Sequence, residues 1–239
     1  SDRTIIAHFL GTAANGVYSI ANKFPNVFIN FYNILNLSWT ETVSLHFDDE
    51  DRDEFLTETM TSLFKLFAAA CFGIVACMPF VFPILINEKY VAGYDQILIL
   101  MYAMLFRVLV GLYSCIYVAQ KNAKKIAYTS ISAAIINITV NLILINKIKI
   151  FAASISTLVA FFSMFIIRYI DVNKTVHMRI RKPIIIGSIL IGTMLIGTYY
   201  CEDKMIQLIA LCITAIYAVL TNVDMLKSGM KLVKSRFGK

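Results

Sequence analysis

Six stretches of this chain are too long and too evenly apolar for the interior of a small soluble domain. They occupy residues 66–86, 97–119, 126–145, 150–167, 184–201 and 206–223. An α-helix rises about 1.5 Å per residue, so about 20 apolar residues match a hydrocarbon layer about 30 Å thick. The last three runs are slightly short, which snorkelling side chains and local thinning of the bilayer accommodate. Backbone groups surrounded by hydrocarbon need internal partners. Runs of this length and uniformity satisfy them as helices rather than as barrel strands.

Composition agrees. Of 239 residues, 59% are hydrophobic and 15% charged, whereas soluble domains average about 45–50% apolar and about 25% charged. A soluble core could not hide that much apolar surface, and a bilayer removes the need to. A seventh segment, residues 14–39, is less apolar but carries few charges and many large side chains, and it counts as a further span. The connections are short and no linker or low-complexity stretch interrupts them. The expected fold is an all-α integral membrane protein. It is a bundle of about seven transmembrane helices in a single domain over residues 1–239, with a basic tail at 227–239.

The formal net charge of +7 would raise the question of nucleic acid in a soluble protein. Here the positions of the charges matter more than their sum, and no nucleic-acid partner is expected. With the C-terminus cytoplasmic, the segments 46–60, 120–125, 168–182 and 227–239 face the cytoplasm and hold 14 of the 22 Lys and Arg residues. The opposite side holds five: Arg3, Lys89, Lys147, Lys149 and Lys204. Lys23, Lys65 and Arg107 fall within spans or at their edges. This asymmetry follows the positive-inside rule, to which the acidic run Asp48-Asp49-Glu50-Asp51 contributes little. The topology places residues 1–10 outside and calls for a preceding span, in keeping with a chain that opens on Ser1. The tail alternates basic and apolar residues, as an amphipathic helix on an anionic inner leaflet would.

The polar residues inside the spans carry the functional signal. Asn15, Ser19, Asn22, Asn26, Asn30 and Asn33 are spaced by 4, 3, 4, 4 and 3 residues, which puts all six on one helix face with Lys23 beside them. Five asparagines on one face are badly placed against lipid tails, so they must meet protein or water. A stripe of that length fits a water-filled cavity, and hydrogen bonding to a neighbouring helix is the alternative. Pro25 should kink or break this helix. Arg107 lies in the middle of its span, where a charge costs about 2.5–3.5 kcal/mol on insertion scales. Gly111 and Ser114 share its side. Either Arg107 binds an anion in a transport path or it pairs with an acid. Asn137 and Asn141, with Ser130 and Ala134, read as helix-packing contacts. Pro79 and Pro83 should bend the run 66–86.

Several chemistries have no support. Cys71, Cys77, Cys115, Cys201 and Cys212 form no C-x-x-C pair and read as small buried apolar side chains. His8, His46 and His177 are far apart, so no metal site is expected. No cofactor motif, nucleophile triad or phosphate-cradling glycine loop appears, and catalytic residues are expected to be none. The acids sit almost entirely in loops.

The stretch Gly11-Thr12-Ala13-Ala14-Asn15-Gly16-Val17-Tyr18-Ser19-Ile20-Ala21-Asn22-Lys23-Phe24-Pro25 resembles a signature of the bacterial polysaccharide and O-antigen flippases. These belong to the multidrug, oligosaccharidyl-lipid and polysaccharide exporter superfamily. In the signature, a Gly-Tyr-Ser element and a Lys-x-Pro element open the second helix of each lobe. Ser1–Ile6 resembles the end of the unit before it, and Trp39 followed by acids and Phe55 is also similar to that family. Only the first 40 residues carry a specific motif.

The resemblance implies two lobes of six helices around a central cavity, often with two further helices. This chain would then be the C-terminal lobe less its first helix, plus the extra pair. It also implies an isoprenoid-pyrophosphate-linked oligosaccharide substrate, moved by alternating access across the bacterial cytoplasmic membrane for surface polysaccharide or capsule biosynthesis. The matching lysine is Lys23. The expected cavity-lining residues are Lys23, Arg107, Asn15, Ser19, Asn22, Asn26, Asn30 and Asn33. Lys23 and Arg107 would attract the pyrophosphate, and the asparagines would bond sugar hydroxyls. The implied partners are the lipid-linked oligosaccharide, membrane lipids and other polysaccharide-assembly proteins.

Three other readings stay open. A cation-coupled multidrug exporter of the same superfamily would favour intramembrane acids. A membrane-embedded enzyme of glycan assembly would favour large outer loops. A structural subunit would seal the asparagine face against a partner helix.

Overall fold

A computed structural model describes residues 2–228. The described residues fold as helices α1 (Asp2–Ala21), α2 (Lys23–Leu45), α3 (Arg52–Leu85), α4 (Tyr94–Ala119), α5 (Ala123–Ile148), α6 (Ile150–Val172), α7 (Lys182–Tyr199) and α8 (Lys204–Thr221). A short 3₁₀ segment, Glu88–Gly93, leads into α4. No strand occurs among them. Most of the tail at 227–239 lies outside the described residues.

Six of these helices are long and apolar enough to cross a membrane: α3, α4 with its 3₁₀ lead, α5, α6, α7 and α8. They contain the six apolar runs of the sequence to within two residues at the C-terminal ends of the runs. The segment 14–39 is helical but is divided between α1 and α2, neither of which joins that set. Its asparagines lower the hydropathy that the remaining residues supply. The division falls at Asn22, not at Pro25 itself. Pro25 has no N–H to bond the Ala21 carbonyl four residues back, so the helical ladder ends there and α2 begins with the proline in its first turn. Inside α3, by contrast, the helix continues through Pro79 and Pro83.

Helix α1 contains a break that the sequence reading did not anticipate. Gly11 adopts φ 87° and ψ 175°, a region essentially restricted to glycine. The chain bends there so sharply that the Tyr18 hydroxyl comes 3.4 Å from the Asp2 carboxyl. Sixteen residues of straight helix would separate them by about 24 Å.

Helix α4 is the centre of the bundle and packs against α2, α3 and α6. In its most apolar stretch 67% of the residues are buried, against 17% for α8. Helices α7 and α8 lie against α3 and leave rows of isoleucine and leucine exposed, as lipid-facing helices do. The fit of α2 on α4 is fixed at two points. The Trp39 indole donates to the Leu112 carbonyl at 3.2 Å, and the Tyr32 ring lies over Gly111.

Two further placements differ from the sequence reading. Residues 2–10 do not stand outside the helices, because Asp2 packs among α5 and α6. Arg168, counted above with a cytoplasmic loop, belongs to α6 and is 2% exposed. The asymmetry of basic residues survives both changes, because each side loses one. The cysteines also divide: Cys71 and Cys115 are buried, Cys77 and Cys201 half-buried, and Cys212 exposed, all as free thiols.

Candidate functional site

The predicted polar stripe follows the division of its helix. Asn15 and Ser19 lie in the last part of α1 and Asn22 at the break after it, all half-buried, with α1 against the 3₁₀ segment. The Asn15 Oδ1 atom is buried without a hydrogen-bond partner among the described residues. The Asn22 amide donates to the Tyr18 carbonyl at 2.8 Å, back onto the last turn of α1. Lys23, Asn26, Asn30 and Asn33 lie on α2 and are exposed. The opposite face of α2 carries Pro25, Phe28, Ile29, Tyr32, Trp39 and Val43 into the core. Burial of those large side chains therefore orients the helix, and the asparagines are turned outward as a consequence.

The stripe is longer than the sequence reading made it. Asn36 and Thr40 follow Asn33 at intervals of 3 and 4 residues, half-buried at the border between the exposed asparagines and the face that holds Tyr32. They line a groove of about 250 Å³ between α2, α4 and α6. The Arg107 side chain enters the same groove from α4, close to the midpoint of that helix. Its guanidinium lies 5.9 Å from the centre of the Phe161 ring, within range of a cation–π attraction. No acidic group ion-pairs with it among the described residues. The Tyr32 hydroxyl donates to Asn36 Oδ1, and the Thr40 hydroxyl donates to the Asn36 carbonyl at 2.7 Å.

A second cation stands behind the groove. The Arg168 guanidinium donates to Thr129 Oγ1 at 3.0 and 2.8 Å, to the Val110 carbonyl at 3.2 Å, and to the Ser114 hydroxyl. Ser130 and the Ile126 carbonyl accept further bonds at 3.3 and 3.5 Å. Its fork of five donors is thus met by hydroxyls and carbonyls of α4 and α5, with no carboxylate among them. Ser114 also lines the groove, so one hydroxyl separates the buried charge of Arg168 from the groove that holds Arg107. Cations, amides and hydroxyls in this arrangement suit an anion that also carries hydroxyl groups.

Sequence reasoning missed Arg168 because it stands near the end of an apolar run, where a snorkelling basic residue is the usual reading. It missed Asp2 for want of any local signal. The Asp2 carboxyl accepts from Thr157 at 2.8 Å, from the Asn141 amide at 3.2 Å and from Tyr18 at 3.4 Å. Asn141 and Thr157 each stand eight residues from Lys149, which joins α5 to α6. Asp2 is therefore about 12 Å along the helices from that turn. The Asn137 amide donates to Ser156 and Thr157 at 3.3 Å, so the polar face of α5 does bind a neighbouring helix. Asn141 Oδ1 is buried with no hydrogen-bond partner among the described residues. No cluster of three His, Cys, Asp or Glu side chains suited to a metal occurs among those residues.

Comparison with protein-family models, with curated proteins and with solved structures finds no match to this chain.

Proposed function

We propose that this chain is the C-terminal lobe of a two-lobe membrane transporter. It flips an isoprenoid-pyrophosphate-linked oligosaccharide across the bacterial cytoplasmic membrane, with its C-terminus in the cytoplasm. One observation carries the reading. The asparagine ridge of α2 faces away from the bundle core and runs through Asn36 and Thr40 into a groove that holds Arg107 at mid-helix. Such a face is unfavourable against acyl chains, whereas against a wet path between two lobes it supplies hydrogen bonds to sugars and a cation for a phosphate. The resemblance of residues 11–25 to the flippase signature supports the same substrate class.

The test is export. In cells whose surface polysaccharide depends on this protein, Arg107→Glu is expected to abolish that polysaccharide at normal protein level. Unchanged export would remove Arg107 from the transport path.

A second reading, a cation-coupled multidrug exporter, gains support from Asp2. This acid accepts hydrogen bonds from the Thr157 hydroxyl and the Asn141 amide inside the helix bundle. It predicts that Asp2→Asn abolishes resistance to cationic drugs while Arg107→Glu does not.

A further inference from the structure

The ends of α5 and α6 that meet near Asn122 and Asn173 form a basic pocket distinct from the groove. Its volume is about 470 Å³, within the range of about 300–1,000 Å³ of small-molecule sites. Lys124 and Lys125 enter it from the first turn of α5, and Lys174 from the turn that follows α6. Asp171 is the acid in its lining, and it is already engaged by the Lys125 ammonium at 2.7 Å and by the Tyr117 hydroxyl at 2.9 Å. Lys124 and Lys174 make no ion pair among the described residues. Arg168 lies directly behind, bonded to Thr129 in the pocket wall. The N-terminus of α5, capped by Asn122, adds the positive end of a helix dipole.

The other side of the pocket is apolar and open. Ile167, Ile170 and Tyr128 are 38%, 54% and 72% exposed, and Ile131, one turn further along α5, is 61% exposed. A charged mouth above an uncovered apolar wall has the polarity of a phospholipid: phosphate at one end, acyl chain at the other. A soluble anion would use the lysines and leave the wall bare. Basic pockets between membrane helices are known sites for anionic lipid headgroups.

We infer that this pocket binds the phosphodiester of an anionic phospholipid, with Lys124 and Lys174 on the phosphate and an acyl chain along Ile167, Ile170 and Tyr128. The site rests on the membrane reading of the helices and not on the flippase reading. It would anchor the α5–α6 pair at one fixed level of the leaflet.

Native mass spectrometry of the purified full chain, with phosphatidylglycerol, phosphatidylcholine or glycerol 3-phosphate added, tests it. Phosphatidylglycerol is expected to be retained over phosphatidylcholine. Lys124→Gln with Lys174→Gln should lower its retention about thirtyfold, at about 1 kcal/mol per lysine. Lys147→Gln with Lys149→Gln, at the far ends of the same helices, should leave it unchanged. Equal retention of the two lipids overturns the proposal, as does undiminished phosphatidylglycerol binding in the first double variant. Displacement by millimolar glycerol 3-phosphate would assign the pocket to a soluble phosphate instead. Export of polysaccharide is a separate readout, so failure here and failure of the transport reading are told apart.

Discussion

The Tyr32 ring occupies the space that a side chain at Gly111 would need. The contact brings α2 close to α4 and sets one wall of the groove that holds Arg107.

Gly111→Ala should therefore displace Tyr32 and cost about 1–3 kcal/mol, as overpacking does. Thermal unfolding in detergent would show a lowered midpoint. A double variant with Tyr32→Ala should recover part of the loss, because the clash is then gone. Simple addition of the two single effects would mean that the residues do not interact.

The Arg168 network should respond unequally to removal of its two sides. Thr129 and Ser114 also donate to backbone carbonyls of their own helices, at 2.9 and 2.7 Å. They keep a bond when the arginine is gone. Thr129→Val with Ser114→Ala instead strands a buried guanidinium. The double variant should lose more stability than Arg168→Met, by about 1–2 kcal/mol on the scale of intramembrane hydrogen bonds. Equal losses in thermal unfolding would show that the hydroxyls do not support the charge.

Gly11 and Gly73 make a controlled pair. A Cβ meets nothing within 4 Å at either position. Only Gly11 has a left-handed φ, so Gly11→Ala should cost about 1–3 kcal/mol in backbone strain. Gly73→Ala, in the regular helix α3, should be neutral or stabilising by up to about 1 kcal/mol. Similar midpoints for the two variants would contradict the bend in α1.

Accessibility to a membrane-impermeant thiol reagent should follow the faces of α2. In a cysteine-free background, Asn26→Cys and Asn30→Cys are expected to react, and Val43→Cys, whose residue is buried against the core, to stay protected. Complete protection at Asn26 and Asn30 would mean that another helix seals the ridge, as in a structural subunit.

The apolar runs and the 3- and 4-residue asparagine spacing were legible in the sequence because both are local. Hydropathy over about 20 residues and the period of a helix need no knowledge of neighbours. That is why the six long helices fall where the runs are, and why Asn26, Asn30 and Asn33 share one face of α2. The tertiary structure decided what no window of sequence contains. The bend at Gly11 carries Asp2 to Asn141 and Thr157, and the packing of α4 on α5 and α6 makes Arg168 an interior residue. The placement of Phe28, Tyr32 and Trp39 against the core turns Asn36 and Thr40 toward Arg107. In each case the partner lies tens of residues or more away along the chain. For Asp2 and Arg168 the buried charge is tolerated because those distant atoms supply its hydrogen bonds.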